Sequence, residues 1–435
     1  MDSFRERRQA FYKKIPDFWH DLYDTEYALF DIKIETSETI RRIRQATEHI
    51  GHIYFKTAPL LRKLDNETLL SLGLPPETHN YIRQKTLPFE SIIARLDLVV
   101  ADNEVKLLEM NADTPTFIKE TFFVNDKVCQ AFGMQNPNAG CEKQLQEAVS
   151  KAVTFAFDSK KGRKPNVVFA AHSEHDEDRL TTMYLNDLCK PNSKYSDFQQ
   201  LRLLSEPIIE EGQVVAESGL YDMDDKKIDV LYRQTYPIEH LIHDEDLVTK
   251  EKVGQLLMEL VGKKELSIVN PPSAFLIQSK AVMALIWGLH EKHHSFYTQK
   301  EHDWIRQHFL PTYLDSDVFL AQNQRYVKKP AFGREGDTVE IISGTGEKIM
   351  EDCHKTYADE LSVYQQFIEL PKTIIQTEQG KKQVHYMYGC FYINGQASAI
   401  GIRAGGQITD NASYFLPIGY QVKGENVKNG DYFTC

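Results

Sequence analysis

The residues from Ala94 to Pro115, ARLDLVVADNEVKLLEMNADTP, place four polar side chains where a β-hairpin would gather them on one face. With the turn centred on Asn103, Arg95 stands opposite Asn111 and Asp97 opposite Glu109, because residues facing each other across an antiparallel pair share a face. Leu96, Leu98, Val100, Leu108 and Met110 alternate with them and form an apolar underside, as a period of two requires. An aspartate facing a glutamate destabilises a hairpin that is only structural. A divalent cation removes that objection, since hard cations such as Mg2+ are held by carboxylate and amide oxygens.

Four further groupings could do chemistry. The segment Tyr326 to Ile341, YVKKPAFGREGDTVEI, reads as a strand, a glycine-bearing loop and a second strand. Gly333 and Gly336 would let the backbone approach a phosphate, and Lys329 and Arg334 would supply cationic donors. The P-loop spacing is absent, and the same residues also make an ordinary hairpin. Lys280 lies among apolar neighbours in AFLIQSKAVMALIW, where it either snorkels to the surface or is held in a cleft for an anion. Arg403, in AIGIRAGGQITDN, ends a strand beside a glycine pair, facing solvent or clamping a carboxylate or phosphate. Finally, His290-Glu291-Lys292-His293-His294 satisfies HExxH, which on a helix gives two zinc ligands and a general base. Its extended form fails, because Tyr297 and Lys300 stand where glycine and a third histidine are needed, leaving Glu301 as a conceivable third ligand. In a chain with 15 histidines, a solvated histidine-rich helix end is the competing reading.

The elements that must position these groups are legible in outline. Glu38 to Phe55 places Ile40, Ile43, Ala46, Ile50 and Ile53 at helical spacing, and Pro75-Pro76 breaks the pattern. Lys143 to Phe157 reads as a second amphipathic helix and Asn166 to Ala171 as a short apolar strand. Leu201 to Val215 and Ile228 to Leu231 read as further strands. Ala274 to His290 reads as one strongly apolar helix entered through Asn270-Pro271-Pro272. The last hundred residues are rich in strand signals, among them Val384 to Ile393 and Ala397 to Ile402. This order predicts an α+β enzyme-like body, with a helical region over 1–90, the hairpin and an α/β lobe over 91–260, and a glycine-loop lobe over 261–435.

Composition sets the outer limits. At 435 residues the chain exceeds what one core serves, so two or three lobes are expected. No apolar run is long enough to cross a bilayer, and the opening MDSFRERRQAFYKK lacks a signal-peptide core, which predicts a soluble cytoplasmic protein without membrane partners. The six cysteines are scattered with no CxxC pair, which fits reduced thiols. A formal charge of -12 disfavours nucleic acid as a partner. Nothing in the pattern specifies an oligomeric state.

Taken in order, RLD with LLEMNADTPT, NPPSAFLIQSKAVMALIW, KKPAFGREGDTV, VYQQFIELP and AIGIRAGGQITDNASYFLPIGY resemble the glutathionylspermidine synthase family of ATP-grasp carbon–nitrogen ligases, in its synthetase portion without the amidase domain. The resemblance implies an ATP-grasp-like fold and ATP-driven joining of a small carboxylate, peptide-like in character, to an amine or polyamine, through an acyl phosphate with release of ADP. It implies that Asp97, Glu109 and Asn111 hold Mg2+, that Arg95 stabilises the transferring phosphoryl group, that Arg334 sits on a mobile loop that closes over the site and excludes water, and that Lys280, Lys329, Gly333, Gly336 and Gln366 hold ATP. Arg403 and Thr114 are implied to contact the substrate. The histidine motif falls at a helix exit that varies in related chains, so a zinc hydrolase stands as the alternative, beside a noncatalytic ATP-binding protein of the same fold. The tail VKGENVKNGDYFTC carries no functional signal.

Overall fold

A computed structural model describes residues 3–101, 104–157, 162–234, 237–334, 336–410 and 412–421. The tail that follows NASYFLPIGY from Val422 on lies outside the described residues. The helix expected from Glu38 runs from Ser37 to Leu61, with Thr36 capping it by accepting the Thr39 amide at 3.0 Å. Its buried face carries Ile40, Ile43, Ala46, Ile50 and Ile53, the predicted stripe. The first ninety residues are not purely helical, however. The strand Lys33–Glu35 pairs in parallel with Ile418–Tyr420, so an early segment of the chain joins a late one.

Three sheets organise the rest. A six-stranded antiparallel sheet joins the hairpin to the C-terminal strands: Ile93–Ala101 pairs with Gly380–Ile393, which pairs with Gln396–Gly405. The hairpin therefore shares its sheet with residues far along the chain, not with the α/β segment expected beside it. That segment forms a separate parallel sheet ordered Ser267–Val269, Val230–Gln234, Val167–Ala171, Lys194–Asp197. Leu201 to Val215 contributes only short antiparallel ribbon strands outside it. A five-stranded antiparallel sheet holds Tyr326–Pro330 and Ser362–Gln366 at its centre.

The hairpin register refines the sequence argument. Asn103 lies outside the described residues, but Ala101 pairs with Glu104 and Leu98 with Leu107, which puts the centre half a residue before the expected one. An uninterrupted ladder with that centre would separate Asp97 and Glu109 onto opposite faces. A β-bulge between Asp97 and Leu98 absorbs one extra residue on the facing strand, and beyond it Asp97 pairs with Glu109 and Arg95 with Asn111 as predicted. The extra residue is Leu108. It leaves the expected underside and packs with Val99, Ile368, Leu370 and Met387.

The apolar helix around Lys280 is also corrected. It is two helices, Pro272–Gln278 and Ala281–Glu291, bent by 63° at a break occupied by Ser279 and Lys280. No single described helix is long and apolar enough to cross a membrane. Ahead of the first helix, the Asn270 amide bridges the base of the hairpin, accepting the Ile92 and Ile93 amides and donating to the carbonyls of Ile93, Ala112 and Asp113.

Candidate active site

A cleft opens where the hairpin's polar face meets the five-stranded sheet, lined by Asp97, Glu109, Lys280, Lys329, Gly333, Gly336, Gln366 and Arg403. The pocket beside it is lined by Arg95, Asn111, Thr114 and Arg334, and shares Glu109 and Arg403 with the cleft. Tertiary structure thus brings together every residue that the family resemblance implied for ATP, Mg2+ and substrate, from segments some three hundred positions apart.

The charges in the cleft are balanced locally. Arg95 grips Asp97 through two hydrogen bonds, Nε to Oδ1 at 2.7 Å and Nη2 to Oδ2 at 3.0 Å, the strongest geometry for this pair. Across the strand, a Cβ on Gly389 would lie 3.1 Å from Arg95 Cδ, so glycine gives the arginine its room. Lys280 Nζ lies 3.3 Å from Glu109 Oε2, and Asn111 Nδ2 lies 3.4 Å from an oxygen of each carboxylate. Burial alone would raise the Glu109 pKa, but Lys280, then Lys329 and Arg95, hold it well below the usual carboxylate range. Two carboxylates can therefore face each other here without a cation, because bound lysine and arginine occupy the role assigned to one. The donor set still fits a hard cation: two carboxylates and an amide on one face, with an ammonium that a cation would displace.

Lys280 does not snorkel. The break between its helices turns it inward, 7% exposed, where Nζ donates to the Gly333 carbonyl at 2.6 Å. Lys329 Nζ donates to the carbonyl of Leu108, the bulge residue, at 3.0 Å, and Gln365 Nε2 donates to the same oxygen at 3.3 Å. The bulge thus presents a backbone acceptor that fixes the second lysine. Burial pushes the Lys329 pKa down to about 8, against the opposing pull of Glu109. Below about pH 8 Lys329 is charged, so anion affinity is expected to be flat there and to fall as pH rises through 8, measured by titration calorimetry with inorganic triphosphate. The stability sign runs the other way: between about 8 and the ordinary lysine value the unfolded chain binds more protons, so this group makes the fold more stable as pH rises.

Arg334 anchors the glycine loop over the cleft, its Nη2 donating to Thr114 Oγ1 at 2.6 Å. Arg403 Nη2 donates to the Asp410 carbonyl at 3.1 Å within its own segment. Gly336 has a φ of 75°, and a Cβ there would sit 2.4 Å from the Thr409 carbonyl oxygen. Gly336→Ala combines left-handed strain of about 1–2 kcal/mol with that clash, so the loop shifts and the affinity of the cleft for a polyphosphate anion is expected to fall about tenfold or more. Titration calorimetry with inorganic triphosphate measures it.

Behind the charges lies an apolar slot of Leu108, Val327, Ile341, Ile368, Leu370 and Met387, reached past Gln366. Gln407 clamps its edge, accepting the Leu370 amide at 3.0 Å and donating to the Ile368 carbonyl at 3.1 Å. Gln407 stood inside the AGGQITDN motif without being singled out, because a side chain that clamps a distant backbone leaves no periodic signal. Met387 was missed because an apolar residue within a strand reads as core, and Leu108, assigned to the underside, reaches the slot through the bulge.

The histidine motif does not form the arrangement its spacing suggests. The helix stops at Glu291, His293 takes a φ of 45°, and the His294 amide turns back to the Leu289 carbonyl at 3.0 Å. His290 and His294 therefore share no helical face. Glu301 is taken by Lys56 at 2.6 Å and His52 at 2.8 Å. Among the described residues, the group of three metal-type donors lies elsewhere, at Asp352, Cys353 and His354.

Known proteins resemble this chain over most of its length. The family model described as "Glutathionylspermidine synthase preATP-grasp" matches residues 4–420. A Haemophilus influenzae protein named "Putative acid--amine ligase" is 25% identical over 332 residues, which are 75% of this chain and 74% of that one. Among solved structures, a glutathione synthetase-like effector from Globodera pallida in its apo form matches with a TM-score of 0.55 and 11% identity, over 91% of this chain and 90% of that one. The structural likeness concerns the fold, a mixed α+β architecture of ATP-grasp type.

Proposed function

The chain belongs to the glutathionylspermidine synthase preATP-grasp family, and on that premise we propose that it is an ADP-forming carboxylate–amine ligase that uses ATP and Mg2+. The observation that carries the reading is the convergence of Asp97, Glu109 and Asn111 with Lys280, Lys329 and a glycine loop beside an apolar slot. Carboxylates and amide suit Mg2+, the two lysines suit phosphate oxygens, and the slot suits a purine. Asp97, Glu109 and Asn111 would hold Mg2+, which would supply neutralisation of the charge that develops in phosphoryl transfer. Arg95 and Arg334 lie beside that position, where fixed cationic donors stabilise spreading negative charge. Phosphorylation of the substrate carboxylate gives an acyl phosphate, and the loop held by Gly336 and Arg334 keeps water from it.

The amine side is supported by a second observation. A broad cleft outside the inner pocket is lined by Asp24, Glu174, Asp176, Glu177 and Asp178. Three of these fall in the first turn of the helix Asp176–Cys189. A wall of carboxylates concentrates cations at its mouth, which favours an amine or polyamine over a neutral nucleophile. Arg403 and Thr114, which line the inner pocket, would receive the acid.

The test is a screen for ADP release, with Mg2+, of peptide-like acids against amines and polyamines. ADP that appears only when one acid and one amine are both present is expected. Nucleotide binding without ADP release from any pair would replace the ligase reading with a noncatalytic ATP-binding protein.

A further inference from the structure

We propose that Tyr27, backed by the buried Glu120, takes the proton from the incoming amine, a role that rests on the ligase reading of the site. Tyr27 lines the inner pocket together with Arg95, Glu109 and Arg403. That pocket shares Leu22, Tyr23, Thr116, Glu177 and Arg334 with the acidic cleft, so a cation entering along the carboxylate wall passes these residues before it meets Tyr27. Tyr27 Oη donates to Glu120 Oε1 at 2.6 Å.

Glu120 is fully buried, and its other oxygen, Oε2, has no hydrogen-bond partner. A buried carboxylate with unused acceptor capacity is costly to keep charged, and a proton relieves the cost. Burial raises its proton affinity, against the opposing effects of Tyr27, Arg95 and Lys119. Tyr27 in turn faces Glu177 and Arg403 besides Glu120. Glu120 opens a π-helical turn, Glu120–Val124, a distortion found mostly at functional sites.

The chemistry requires such a group. A protonated amine has no lone pair to attack with, and the acidic cleft selects that protonated form. In the proposed step the ammonium passes one proton to Tyr27 Oη while the Tyr27 hydroxyl proton passes to Glu120. The freed nitrogen lone pair bonds the acyl carbon, and the carbon–oxygen bond to phosphate breaks with its electron pair on phosphate. The second nitrogen proton leaves with the phosphate as HPO4 2-, and Glu120 later returns its proton to solvent through Tyr27. Charge is the same on both sides.

Hydroxylamine, an amine uncharged at neutral pH, separates this role from acyl phosphate formation because it needs no base. Amide and hydroxamate formation are measured with the acid and amine selected by ADP release, in the wild type, Tyr27→Phe, Glu120→Gln and the double variant. The amide-to-hydroxamate ratio is expected to fall about 100-fold in each single variant and no further in the double, as for two groups acting as one unit. In Tyr27→Phe the amide rate should also climb steadily with pH, following the free amine. A ratio within about twofold of wild type in Tyr27→Phe would overturn the proposal. So would equal loss of both products in the two single variants, the mark of a structural pair. Absence of hydroxamate in the wild type would show that the acyl phosphate reading itself fails, and the proposal with it.

Discussion

Glu109→Ala is expected to lower ATP turnover by at least about 10³-fold while leaving the circular dichroism spectrum of the protein unchanged. Glu109 contacts both halves of the site: Lys280 approaches its Oε2 at 3.3 Å and Asn111 its Oε1 at 3.4 Å. Without it, the proposed Mg2+ donor set loses one of its two carboxylates. Lys280 and Lys329 also lose the counter-charge between them, and Lys329, whose pKa Glu109 holds up, gives up its proton more readily. Glu109→Gln keeps the shape and the Asn111 contact but removes the charge, and should lose nearly as much. ADP release with the selected substrate pair is the measurement. Undiminished release from Glu109→Ala would remove the hairpin from the mechanism.

The largest effect on stability belongs to Asp113, which touches no phosphate donor. Its Oδ1 lies 2.5 Å from Arg233 Nη2, and neither side chain has any exposure. Its other oxygen accepts the Ile238 amide at 3.3 Å, while its own amide donates to Gln278 Oε1 at 2.7 Å. These contacts tie the end of the hairpin to the parallel sheet and to the helix before Lys280. Asp113→Ala leaves the Arg233 guanidinium short of its buried counter-charge and is expected to cost about 3–5 kcal/mol. Asp113→Asn keeps an acceptor for Ile238 and should cost less. Urea unfolding followed by fluorescence and circular dichroism gives the difference, and an unmoved midpoint for Asp113→Ala would show that water or rearranged neighbours compensate the charge.

The candidate site was more legible than the elements carrying it. Arg95, Asp97, Glu109 and Asn111 were placed together by alternation alone, and the pairing is as expected, yet the expected turn centre was half a residue off. The bulge at Leu108 reconciles the two. No single residue type signals such a bulge, because it arises from fitting the ladder to two fixed ends. Lys280 shows the same limit. AFLIQSKAVMALIW is apolar enough to read as one helix, and its 63° break follows from packing against the hairpin base and the 331–333 loop. The HExxH spacing failed for a local reason, since the helix ends at Glu291 and a left-handed His293 turns the chain away.

The sequence by itself determined which donors exist and, through the period of two, which of them share a hairpin face. Together with the order of its motifs, that was enough to point to a magnesium and nucleotide site. Only the tertiary structure decided how the charges are settled. Arg95 against Asp97, Lys280 against Glu109 and Lys329 against the Leu108 carbonyl are contacts between groups chosen by burial in a shared low-dielectric cleft, where an unpaired charge is costly and a partner from anywhere in the chain is stabilising. Tyr27 and Glu120 belong to the same class: 93 positions apart, they meet because the fold buries one behind the other.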